Sequence, residues 1–130
     1  MSMRRLLLDT HVFLWWLADD PRLGITAREI IAEPRNTVFV SAASVWEISI
    51  KRQLGKLKAP DDLERIIEDE GFISLPIAPF HGEQAGNLPM HHRDPFDRML
   101  IAQAQTEGLV LMTADNAFPP YGIRLIQAQI

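Results

Sequence analysis

Apolar residues along this chain fall into short unbroken runs, separated by longer stretches in which they recur every three or four positions. The unbroken runs are RLLL (Arg5 to Leu8), TVFV (Thr37 to Val40), FISLPI (Phe72 to Ile77), LVLMT (Leu109 to Thr113) and RLIQA (Arg124 to Ala128). A half-exposed antiparallel strand alternates apolar and polar positions, so runs this continuous predict strands buried on both faces. The stretches between them carry helix-start signals. Thr26 to Glu29 has the spacing of a capping box, Asp61 and Glu64 bracket a second start, and Asp94-Pro95 pairs an N-cap with proline at the first helical position. Strands and helices in alternation predict βαβ units, hence an α/β fold whose parallel sheet is covered by helices on both faces. With no repeat and no low-complexity linker, residues 1–130 are expected to form one domain.

In such a sheet, ligands bind beyond the carboxyl ends of the strands, where the strand order reverses. Asp9 directly follows the first strand and Asp115 follows the fourth, so both carboxylates are expected on one rim. A 3-2-1-4-5 strand order, assumed at this point, makes those two ends neighbours. Two helical stretches add acids where the apolar period calls for something greasy. Glu47 shares a helical face with Ala43, Ile50 and Leu54, and Asp97 shares one with Ile101, Ala104 and Gln105. Asp97 also falls in a first turn, where the helix dipole favours an anion. Four acids in a dry pocket repel one another and raise each other's pKa, a conflict that a divalent cation resolves. Hard Mg²⁺ or Mn²⁺ prefers such oxygen ligands and commonly serves phosphoryl chemistry.

Composition narrows the chemistry further. The 130 residues are 47% apolar, enough for a real core, and they contain no cysteine, so any metal must be held by carboxylates or by the four histidines. No apolar run approaches the roughly 20 residues that span a bilayer, and the N-terminal apolar run is broken by Asp9; a cytoplasmic protein without membrane contact is expected. A net charge of −4 argues against gripping nucleic acid with the whole surface, which leaves room for a local basic patch. Lys51 and Arg52, in a run with Lys56 and Lys58, are candidates for such contacts, as are Arg93 and Arg98.

The segments LLLDTHVFLWWL, VSAASVWEISIK, HHRDPFDRMLIAQA and LVLMTADNAF, taken together and in this order, resemble the PIN-domain nucleases, specifically the VapC-like toxins of toxin-antitoxin pairs. The resemblance covers nearly the whole chain. It implies a three-layer PIN-like fold with sheet order 3-2-1-4-5 and an acidic Mg²⁺ or Mn²⁺ site that cleaves RNA. The implied site residues are Asp9, Glu47, Asp97 and Asp115, with Asp94 a feature of a DPFDR subgroup and a possible fifth ligand. It also implies an antitoxin partner and a homodimer.

Each residue also has a plainer reading. Asp9 and Asp94 make good N-caps, Glu47 completes a capping box with Ser44, and Asp115-Asn116 suits an ordinary turn. Thr10 and Thr113 are candidates to hydrogen-bond the carboxylates. His91 and His92 with Asp94 suggest a zinc cluster, against which adjacent histidines point in different directions. The segment His11 to Ala18 is apolar almost all round, so Phe13, Trp15 and Trp16 are divided between core and a partner groove. Two alternatives compete with the nuclease. A haloacid-dehalogenase-like phosphatase also places an Asp after a hydrophobic strand, although His11 stands where its second Asp belongs. A non-catalytic binding module would keep the acidic rim for partner contact alone.

Overall fold

Residues 3–115, 118 and 121–130 are described by a computed structural model. Its strands are β1 (Arg5–Leu8), β2 (Thr37–Ser41), β3 (Ile73–Leu75), β4 (Val110–Thr113) and β5 (Leu125–Gln127). They form one sheet in the order β3-β2-β1-β4-β5, and every pairing is parallel. The 3-2-1-4-5 order, an assumption on periodicity alone and implied by the resemblance, is the one observed. Parallel neighbours need crossovers, which are supplied by α1 (Thr10–Ala18), α2 (Ile25–Ala32), α3 (Ala42–Gln53), α4 (Leu63–Asp69), α5 (Pro79–Asn87) and α6 (Pro95–Glu107).

The pleat of β1 divides the core. Leu6 and Leu8 pack with Val12, Phe13, Ala27, Ile31 and Ile67 on the face covered by α1, α2 and α4. Leu7 packs with Leu100, Ile101, Ala104, Leu111 and Tyr121 on the face covered by α6. Burial on both faces holds for β1, β2 and β4 but not at the edges. There β3 is only three residues long with Ile73 48% exposed, and β5 is half-exposed. Continuous apolar sequence overstated FISLPI because an edge strand has a neighbour on one side only and Pro76 carries no N–H to extend the ladder.

Two helix starts differ from expectation. Thr26 does not cap α2; the N-cap is Gly24, and the Thr26 N–H is taken by the Ile130 carbonyl at 3.0 Å. A long-range carbonyl has replaced the local hydroxyl, and glycine makes the approach possible, since a Cβ on Gly24 would lie 2.2 Å from the Ile130 carbonyl carbon. Gly24→Ala is accordingly expected to cost about 1–3 kcal/mol by forcing the C-terminal segment away, read as a lower denaturant midpoint with an unchanged slope. At α4 the N-cap is Asp62, in a left-handed conformation and without a side-chain cap bond.

The helix α5 has no start signal among those recognised in the sequence. Its N-cap is Ala78, whose N–H is accepted by His81 Nδ1 at 2.9 Å. The start of α6 is as expected: Asp94 Oδ1 accepts from the N–H groups of Phe96 and Asp97, and Pro95 occupies the first helical position.

Candidate active site

Each acid reaches the rim by a local route. Asp9 ends β1 and caps α1, its Oδ1 accepting the Val12 N–H at 2.8 Å, while its Oδ2 accepts the Thr113 hydroxyl at the end of β4. The cap reading and the site reading of Asp9 thus coexist, one on each oxygen. Thr113 Oγ1 in turn accepts the Asp115 N–H at 2.9 Å, which ties the two strand ends together. Glu47 projects inward from α3, 4% exposed, with Oε1 accepting the Thr10 hydroxyl at 2.7 Å and Oε2 2.5 Å from Lys51 Nζ. It completes no capping box: Ser41 is the N-cap of α3, and Ser44 Oγ lies 2.9 Å from Thr10. The face predicted for Glu47 holds at Ala43 and fails at Leu54, which is 61% exposed where the helix ends.

Asp97 comes from the first turn of α6, and Asp115 from the segment after β4. Asp9, Thr10, Glu47, Lys51, Asp94, Asp97 and Asp115 line one cleft of about 280 Å³. The second residue of the Asp115-Asn116 pair lies outside the described residues.

The electrostatics are those of crowded anions. Burial and then the Asp94 charge push the Asp97 carboxyl from its ordinary 3.8 up to about 7, with Glu47 and Asp9 adding to the rise and His92 opposing it. Burial also raises Asp9, against the hydrogen bonds from Thr113 and Val12 that lower it. Lys51 is the one lysine or arginine lining this cleft among the described residues, and its bond to Glu47 raises its own pKa.

His92 belongs to this cluster although sequence reasoning set it aside. Its Nε2 lies 3.1 Å from Asp97 Oδ2 and 3.2 Å from Asp115 Oδ2. The signal was present in HHRD, but it was read as His91 with His92 and Asp94. His91 instead stacks against Tyr121, and His92 meets the Asp94 backbone rather than its carboxylate.

The basic and aromatic candidates are sorted by burial and bonding. Arg98 is 8% exposed, and its guanidinium donates to the carbonyls of Ala85, Leu88, Pro89 and His92, so it is not available to RNA. Lys51 is held by Glu47, and Arg52 donates to the Pro60 carbonyl at 2.6 Å. Of the four basic candidates, Arg93 is the exposed one, with no such bond among the described residues. Phe13 is fully buried in the core against Phe72 and lines no groove. Trp16 is half-buried on Phe72 and donates its indole N–H to Glu70 at 2.8 Å. Trp15 lines the acid cleft on one side and, on the other, a groove of about 440 Å³ with Leu14, Leu17, Leu57 and Lys58.

A parallel 3-2-1-4-5 sheet with its carboxylates gathered beyond β1 and β4, where the crossovers diverge, defines an α/β protein with an acidic switch-point site. The family model described as "PIN domain" matches residues 6–123, and the chain belongs to the PIN-domain family. It is 29% identical over 117 residues to Ribonuclease VapC22 of Mycobacterium tuberculosis, covering 88% of this chain and 89% of that one. Among solved structures it is similar to VapBC2 from Rickettsia felis bound to a promoter DNA fragment, with TM-score 0.69, 16% identity and coverage of 94% and 97% of the two chains. The DNA-bound VapBC from Salmonella typhimurium gives TM-score 0.68 at 21% identity, with 95% and 98% covered. No helix among the described residues is long and apolar enough to cross a membrane.

Proposed function

We propose that this chain is a divalent-cation-dependent endoribonuclease, the toxin of a toxin-antitoxin pair, acting in the cytoplasm as a single domain. The observation that carries the reading is the convergence of Asp9, Glu47, Asp97 and Asp115 on one cleft of a PIN-family chain. The name of its relative, Ribonuclease VapC22, supports RNA as the substrate. The donor set fits a hard cation: it is rich in carboxylate oxygens, and mutual repulsion with burial lifts Asp97 far above its ordinary range. Those four residues would hold Mg²⁺ or Mn²⁺. Asp94, the residue that the DPFDR motif adds, contributes charge while its Oδ1 caps α6 and is the proposed fifth ligand.

When bound, such an ion lowers the pKa of water and neutralises charge at a phosphate under attack. The chain's own residues prepare the site. Thr113 and the Val12 amide fix Asp9, and Thr10 with Lys51 fixes Glu47, so the carboxylates are oriented before substrate arrives. With a cation held there, the proposed nucleophile is water, and no covalent protein intermediate is required. Arg93, exposed and next in sequence to the cleft residue Asp94, is the proposed phosphate contact. Because the RNA 2′-hydroxyl takes no part, cleavage of an RNA panel should yield linear phosphate ends. Products ending in 2′,3′-cyclic phosphate would overturn this reading, as would a phospho-aspartate trapped at Asp9.

The partner is proposed to be an antitoxin that lays an apolar segment along the Trp15 groove and reaches the acid cleft with a basic side chain. Trp15 lines both, so one peptide engages both. Trp15→Ala is expected to weaken partner affinity by roughly 10-fold or more, whereas Trp16→Ala chiefly lowers the unfolding midpoint. Calorimetry with the co-expressed partner checks the first effect and thermal unfolding the second. A second copy of the chain is the further partner proposed.

A further inference from the structure

The environment of His92 specifies which of its nitrogens carries the proton. Its Nδ1 lies 3.2 Å from the backbone N of Asp94, whose N–H it accepts. An amide only donates, so Nδ1 presents its lone pair, and the ring proton of the neutral imidazole sits on Nε2. That same Nε2 stands 3.1 Å from Asp97 Oδ2 and 3.2 Å from Asp115 Oδ2. A nitrogen that carries a proton donates a hydrogen bond and has no lone pair for a cation.

The ring is held in this pose from several sides. The His92 N–H is accepted by the Tyr121 hydroxyl at 2.6 Å, and that hydroxyl donates to the Pro89 carbonyl at 3.0 Å. The His92 carbonyl accepts from Arg98 at 3.1 Å, and the imidazole packs 5.6 Å from the Phe118 ring. Backbone donor, backbone acceptor and ring face are all fixed, so Nε2–H is aimed rather than incidental.

We propose that His92 is a positioning residue of the acidic site: its Nε2–H clips Asp97 and Asp115 together and so orients the carboxylates that would hold the cation, without itself ligating it. Asp97 is half-buried on a helix whereas Asp115 lies on an exposed segment after β4, so the clip holds the more exposed carboxylate against the helix-borne one. The inference rests on the cation-binding reading of the preceding subsection. It differs from the zinc cluster that the sequence suggested, in which the histidine would be a ligand.

Three measurements on the whole chain separate these roles. Long-range ¹H–¹⁵N correlation of labelled protein, without and with Mg²⁺, should show His92 protonated at Nε2 and unprotonated at Nδ1 in both samples. Calorimetry should show His92→Ala weakening Mg²⁺, Mn²⁺ and Zn²⁺ by a similar factor, roughly 10- to 100-fold, as loss of an orienting group does. His92→Gln, which keeps an N–H donor, should recover most of that loss. Protonation at Nδ1, or a loss in His92→Ala confined to Zn²⁺, which imidazole favours over Mg²⁺, would make His92 a ligand and overturn the proposal. If wild-type protein binds these cations and His92→Ala binds them equally well, the proposal fails alone; if wild type binds none, the reading of the site fails and takes the proposal with it.

Discussion

Asp97→Asn is expected to lower cation-dependent RNA cleavage by roughly 10³-fold, about 4 kcal/mol of transition-state stabilisation, while leaving the cation-free fold at least as stable as wild type near pH 8. The two effects have one cause. Asp97 is crowded by Asp94, Glu47 and Asp9, and its folded pKa of about 7 lies above the ordinary 3.8. The folded chain therefore holds that proton more tightly than the unfolded chain does. The stability this confers is full below about pH 4 and is lost as pH rises through about 7. Asp9, also raised, acts in the same direction. Thermal unfolding in chelator should show wild-type stability falling across that window and Asp97→Asn falling less. A cation added at pH 8 should restore the wild type, because binding to the folded state alone stabilises it by mass action. Asp97→Asn protein that cleaves at the wild-type rate, free of contaminating nuclease, would contradict the assignment.

Arg98→Ala should be the most destabilising single substitution in the α6 segment, costing about 3 kcal/mol or more. Its guanidinium answers the carbonyls of Ala85 and Leu88 at 2.8 Å, Pro89 at 3.0 Å and His92 at 3.1 Å. Truncation removes the guanidinium donor from those carbonyls, of which Pro89 keeps the Tyr121 hydroxyl, and opens a void between α5 and α6. Arg98→Lys should recover only part, since an ammonium cannot fork across several carbonyls. Because this segment presents His92 to Asp97 and Asp115, cleavage should fall in both variants as well. Urea unfolding measures the stability term, and a loss below about 1 kcal/mol for Arg98→Ala would show that water replaces the guanidinium at little cost.

What the sequence revealed and what it hid follow from the range of the forces involved. Asp9 was legible because a charge directly after three leucines violates a local pattern, and Asp94-Pro95 because capping is decided within four residues. The strand order was not readable from periodicity, which is blind to neighbours; it entered as an assumption and through the family resemblance. Thr26 was misread because its amide is satisfied by a carbonyl 104 positions away, a partner that no local motif announces. Arg98 was misread because charge type does not reveal burial, and an arginine spent on carbonyls looks in sequence like one offered to phosphate. Phe13 could not be told from Trp15 in a helix apolar on all sides; only the sheet decides which face is inward. His92 escaped because its partners come from the first turn of α6 and from the segment after β4, which no local spacing brings together.

The central claim is that these carboxylates bind a divalent cation in order to hydrolyse RNA. It is tested most directly by titrating Mn²⁺ into the cation-free whole chain while following cleavage of a defined RNA and, in parallel, heat of binding. The account predicts no cleavage in chelator, a rise in cleavage that tracks the binding isotherm, and loss of both signals in Asp9→Asn. Cleavage that persists in chelator, or that rises with Mn²⁺ equally in Asp9→Asn, would contradict it.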